Sequence, residues 1–150
     1  MADPIVTRIC DNLVTTLRGI TKAAGYSRDV RHVSKTAVGP DQPLRDSITV
    51  AGVTERKTDA DATAGRKVEL VVLLGCLVDE NDDVGLAIQE LAADVEKILS
   101  IDFQRSNLAI DTKVVSVVYD ISEDLKPLGD CVIELSIPYK HKWGDPRTVA

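Results

Sequence analysis

The stretch VELVVLLGCLV, residues 68–78, decides the fold class. It is a nearly continuous apolar run, rich in valine, with Glu69 as its only charge, which is typical of a strand inside a sheet. The acidic segment DENDD, residues 79–83, ends the run. It supplies N-cap residues and places negative charge where the positive end of a helix dipole would lie. The sequence therefore predicts a central strand that is followed at once by a helix.

Two segments have the apolar spacing of amphipathic helices. The helix after the central strand should run to about Leu99, on the apolar positions Ile88, Leu91, Val95 and Ile98. An earlier helix should run from about Pro4 to Ala23, with Asp3 as its N-cap, on the apolar positions Ile5, Ile9, Leu13, Leu17 and Ile20. Only two helices are therefore predicted.

Four further segments carry β-branched residues between turn signals, and they cover residues 29–38, 47–57, 112–121 and 131–139. In the last of these, Pro138 is easiest to place at a sheet edge or a strand end. The element order is α-β-β-β-α-β-β. This order predicts an α+β fold, with a mixed or mainly antiparallel sheet of about five strands and two helices packed on one face.

Length and composition limit the class of protein. A chain of 150 residues fits one domain, residues 1–150. The net charge of -6 disfavours sequence-specific nucleic-acid binding, and the longest apolar run is too short for a membrane span. The first residues lack the apolar core of a signal peptide. Three widely spaced cysteines, Cys10, Cys76 and Cys131, fit a reducing compartment and are expected to be buried small hydrophobes.

The sequence gives little support for a catalytic site or a metal site. Asp79, Asn81, Asp83 and Glu90 stand at positions 1, 3, 5 and 12 of a calcium loop, but Val84 replaces the glycine needed at position 6. A solvated helix start explains these acids better than a metal. The two histidines, His32 and His141, have no ligand spacing, and no nucleophile elbow or phosphate loop occurs. We therefore expect no enzyme activity, metal or cofactor.

Two segments remain as candidate contact surfaces. Residues 56–67 should form a long mobile loop, with the small and acidic stretch TDADATAG between basic flanks. Residues 140–150, KHKWGDPRTVA, should form a C-terminal extension that holds the only tryptophan, an amphipathic anchor of the kind that interfaces favour. The alternatives are a hairpin tip without a role and a tail that packs back onto its own sheet.

The element order, the length and the ending IPYKHKWGDP, residues 137–146, resemble the tail terminator proteins of long-tailed bacteriophages, also called tail completion or minor tail U-like proteins. The resemblance implies a ring, usually of six copies, that caps the head-proximal end of the tail tube, stops its polymerisation and joins it to the head. The implied partners are further copies of the chain, the tail tube protein and a head-tail connector or stopper protein. DNA would pass through the ring, and the acidic chain would not hold it.

The resemblance also implies where the protein lies and which residues make contacts. It would lie in the virion tail, and in the host cytoplasm during assembly. The contact residues would come from the two segments above and from the residue just before the second one, namely Arg56, Lys57, Asp59, Asp61, Arg66, Tyr139, His141, Trp143, Asp145 and Pro146. The alternatives are another head-to-tail neck or joining subunit, and a small α+β ligand-binding protein or enzyme of ferredoxin-like build. A deep pocket with perturbed acids would favour the last.

Overall fold

A computed structural model describes residues 1–35, 46–58, 65–80, 82–122 and 128–150. It has two α-helices and six strands, so the predicted α+β class is confirmed. In chain order the elements are α1 (Ile5–Leu17), a 3₁₀ turn (Lys22–Ala24), β1 (His32–Ser34), β2 (Ser47–Thr58), β3 (Arg66–Asp79), α2 (Val84–Ile101), β4 (Lys113–Ser122), β5 (Leu128–Lys142) and β6 (Asp145–Val149).

The strands form one sheet in the order β1-β2-β3-β5-β4, with β6 paired to β5. Only β1 and β2 run parallel; the other pairs are antiparallel. β3 pairs with β2 on one side and with β5 on the other, so the predicted central position of residues 68–78 is confirmed. Pro138 lies beyond the last residue of β5 that pairs with β4, and its carbonyl accepts a hydrogen bond from the Ile110 amide at 2.8 Å.

One face of the sheet carries the core. Side chains alternate along β3 and β5, and every second one is buried against the apolar sides of α1 and α2. Between them, Val71 and Leu73 of β3 point to the other face and are only partly buried. No described element covers this second face, which we call the open face. The run at residues 68–78 is thus apolar on both sides, although helices cover only one.

The first helix is shorter than predicted. Its N-cap is Pro4 and not Asp3, and it ends at Leu17, six residues before Ala23. Thr21 caps the 3₁₀ turn that follows, accepting from the Ala24 amide, and Gly25 ends that turn with a left-handed φ of 94°. The second helix starts as predicted: Asp83 is its N-cap and accepts a hydrogen bond from the Leu86 amide at 3.0 Å.

Two other predicted bounds are wrong. The first strand covers only His32–Ser34 and not residues 29–38, of which residues 36–38 lie outside the described part. The segment predicted as a loop at residues 56–67 overlaps two strands, because β2 continues to Thr58 and β3 already starts at Arg66. Its residues 59–64 lie outside the described part.

The predicted C-terminal extension at residues 140–150 is part of the sheet. β5 continues to Lys142, and β6 turns back to pair with it. Arg8 of α1 also donates to the Arg147 carbonyl of β6 at 3.4 Å, which ties this hairpin to the first helix. The alternative, packing back onto the chain's own sheet, is therefore correct. Neither described helix is long and apolar enough to cross a membrane.

Candidate interaction surface at one end of the sheet

The pairing of β3 with β5 brings the two candidate segments together. Arg66 lies opposite His141, and Lys67 lies opposite Lys140. In the neighbouring strand β2, Arg56 lies opposite Glu69, which places the residues before the loop at the same end of the sheet. We call this surface the basic end, and it comprises Arg56, Lys57, Arg66, Lys67, Lys140, Lys142 and Trp143.

Trp143 stands at the tip of the β5–β6 hairpin. The next residue, Gly144, has a φ of 74°, the left-handed conformation that glycine adopts most easily in a tight turn. Trp143 is 60% exposed, and the guanidinium carbon of Arg66 lies 5.8 Å from the centroid of its indole ring, within the range of a cation–π contact. The surface therefore presents an exposed aromatic ring among cations.

Asp145 stabilises the β5–β6 hairpin through two hydrogen bonds. Its carboxylate accepts from the Thr148 hydroxyl at 2.5 Å and from the Arg147 amide at 3.0 Å. These two hydrogen bonds lower the pKa of Asp145. Pro146 follows in β6, where its missing amide proton costs little because the strand is short and at an edge. Both residues thus build the hairpin that carries Trp143.

Tyr139 and His141 are buried in the core, so the prediction that they lie on a contact surface is wrong. Tyr139 is 1% exposed, and its hydroxyl donates to the Glu55 carboxylate. Burial, followed by this hydrogen bond, raises the pKa of Tyr139. His141 is 3% exposed, and its Nδ1 lies 2.7 Å from the Lys142 carbonyl. Both point to the helix side of β5, together with Ile133, Leu135 and Ile137.

Of the remaining predicted contact residues, Arg56, Lys57, Arg66, Trp143, Asp145 and Pro146 lie at or beside the basic end, whereas Asp59 and Asp61 lie outside the described residues. Three further residues of the basic end were not predicted as contact residues, namely Lys67, Lys140 and Lys142. The predicted basic flanks and the predicted C-terminal segment already contained them, but only the β3–β5 register makes them neighbours.

A second, oppositely charged surface lies near the far end of the open face. Val118 of β4 lies opposite Val132 of β5, and both side chains are well exposed, at 65% and 42%. Two residues further on, Asp120 lies opposite Asp130. Burial and the Asp120 carboxylate raise the pKa of Asp130. We call these four residues the acid–valine patch. The sequence did not predict this patch because the last strand was expected to start only at residue 131, one residue after Asp130.

The cysteines are buried, as expected. Burial raises the pKa of Cys10, the opposite of what a nucleophilic thiolate needs. Cys76 and Cys131 lie directly opposite each other on β3 and β5, a contact that their sequence separation did not predict. Their mutual hydrogen bond, together with burial, raises the pKa of Cys76 well above its usual value.

The cleft around Arg28 does not resemble a ligand pocket. A cleft of about 190 Å³ lies around Arg28, smaller than the roughly 300–1000 Å³ of drug-sized ligand sites. Arg28 pairs there with Asp46 at 3.1 Å and with Glu80 at 3.2 Å. Burial opposes the charge of Arg28, but the two carboxylates outweigh it and raise its pKa. Within the described ranges, no three potential metal-ligating side chains converge.

Comparison with known proteins identifies the fold. No protein-family model matches this chain, and no curated protein matches it. Among solved structures, a chain from the virion of a native gene transfer agent (GTA) particle superposes with a TM-score of 0.59. The match covers 91% of this chain and 97% of that chain, at 9% sequence identity. The two chains therefore share a fold over nearly their whole length.

Proposed function

We propose that this chain is a structural subunit of a phage-like virion. The observation that carries the proposal is the shared fold with a chain of a gene transfer agent virion, which leaves almost no part of either chain unmatched. Because folds host many functions, the fold alone would be weak support. It is strengthened by the independent resemblance of the ending at residues 137–146 to phage tail terminators.

The more specific proposal is a tail terminator. In it, several copies close into a ring, the ring caps the head-proximal end of the tail tube, and its other side meets the head connector. The basic end supports a role in contacts between proteins, since exposed tryptophan and arginine are enriched where interfaces gain most of their energy. The net charge of -6 is compatible with a channel through which DNA moves without adhering.

A structural role also agrees with the side chains. The cysteines are buried, Arg28 is paired with Asp46 and Glu80 in its cleft, and Asp83, one of the acids before α2, caps that helix. The positions of these groups thus serve the fold. This arrangement favours a virion component over the ligand-binding or enzymatic alternative.

A polymerisation assay tests the terminator proposal. Tail tube protein from the same particle would be assembled with and without this chain, and tube lengths would be measured by electron microscopy. We expect shorter tubes with a ring at one end. The variant Trp143→Ala should cap less well, whereas Phe103→Ala, which removes an exposed aromatic ring from the turn after α2, should cap normally.

Unchanged tube lengths, with no protein at the tube ends, would contradict the terminator proposal. Binding to the purified head connector without binding to tubes would favour the alternative, another neck or joining subunit. The proposal that the chain is a structural subunit of a phage-like virion would then remain, without the terminator role.

A further inference from the structure

The two surfaces described above are chemically complementary. The basic end carries Lys140, Lys142 and the exposed indole of Trp143, and the acid–valine patch carries two carboxylates beside two exposed valines. An indole can cover the valines, and the ammonium groups can meet the carboxylates. Among the described residues, neither Asp120 nor Asp130 has a cation within ion-pair distance.

The two surfaces cannot meet within one molecule. Asp130 and Lys142 stand near opposite ends of the same strand, β5. Twelve residues of extended chain span about 40 Å. The patch also has a reason to attract cations, because like charges directly opposite in a sheet repel each other. A partner that brings lysines would remove this repulsion.

We infer that the acid–valine patch of one copy receives the basic end of the next, so that copies of this chain join head to tail. The inference rests on the proposed function and specifies its self-contact. Such a contact joins two different surfaces, and repeating it gives a closed ring when the rotation between copies closes. The occupant of the patch is therefore a second copy of the same chain.

Charge reversal tests this contact by association measurements. Variant A carries Asp120→Lys and Asp130→Lys, and variant B carries Lys140→Glu and Lys142→Glu. Alone, each variant should associate at least about 10-fold more weakly than the unchanged protein, because its contact opposes like charges. An equal mixture of A and B should associate as strongly as the unchanged protein, since the lysines in the patch of A face the glutamates in the basic end of B. Failure of the mixture to recover would overturn the inference.

Thiol cross-linking tests the same contact even when the contact is weak. Copies with Val118→Cys would be mixed with copies with Trp143→Cys and treated with a short bismaleimide. The matched control replaces Val118→Cys by Thr54→Cys, an exposed site elsewhere on the open face. We expect at least about 10-fold more mixed dimer from the first pair; equal yields would overturn the inference.

The outcomes separate the self-contact from the terminator role. Normal tube capping with equal cross-linking yields would remove the proposed contact and leave the terminator proposal intact. Specific cross-linking without tube capping would keep the contact and remove the terminator role.

Discussion

Replacing Asp120 by asparagine should stabilise the folded chain and weaken its self-association. In the fold, this residue lies directly opposite Asp130, and such like-charge pairs cost about 0.2–1 kcal/mol. Both side chains are exposed, so solvent screening reduces the effect. We therefore expect Asp120→Asn to raise the free energy of unfolding by about 0.5 kcal/mol at neutral pH and low salt.

The pH dependence follows from the pKa of Asp130, which partial desolvation at the sheet surface and the neighbouring carboxylate raise. A raised pKa means that the folded state binds this proton more tightly than the unfolded state. Stability from this group is complete below the unfolded pKa and falls as the pH rises through the folded pKa. Removing the Asp120 charge should reduce that fall, so the two proteins should converge in stability at acid pH.

Urea unfolding followed by circular dichroism would measure both effects, and sedimentation would measure association. The control Asp3→Asn removes an exposed carboxylate near the chain start and should give no gain in stability. The expected result is that Asp120→Asn raises the free energy of unfolding and weakens self-association. A loss of stability at neutral pH in Asp120→Asn would refute the repulsion on which the acid–valine patch depends.

Three further predictions concern the fold and are checked by the same unfolding measurements. Arg105 is fully buried and donates to the carbonyls at the end of α2, including that of Leu99 at 2.6 Å. Arg105→Met should therefore lower the free energy of unfolding by about 3 kcal/mol. The control Arg31→Met, at an exposed site, should lower it by less than about 0.5 kcal/mol. Leu74→Ala in the central strand should cost about 2–5 kcal/mol, because the side chain is fully buried. Gly65→Ala should destabilise by more than about 1 kcal/mol, since φ is 86° and the added carbon would lie 2.5 Å from a backbone oxygen.

The fold class could be predicted because it depends on local patterns. The apolar run at residues 68–78 and the helical spacing around Leu91 both reflect burial against one core, and each is readable within a short window. The end of α1 was misplaced because Ile20 continues the apolar spacing. It is fully buried, although the helix has already ended at Leu17.

The surfaces could be predicted only in part, because they depend on strand register. The sequence singled out Arg66 and Trp143 separately, but their contact requires β3 to pair with the end of β5. The same register places Cys76 against Cys131. Tyr139 was predicted as a contact residue through the family resemblance, whereas the pleat of β5 places it on the core side of the sheet. Long-range pairing leaves no signal in a short window.

The central claim is that this chain is a virion component at the junction of head and tail. Electron microscopy of purified particles, labelled with a gold-conjugated antibody against this chain, tests it most directly. We predict one cluster of label per particle, at the head-proximal end of the tail. Particles without label, or label spread along the whole tail, would contradict the claim.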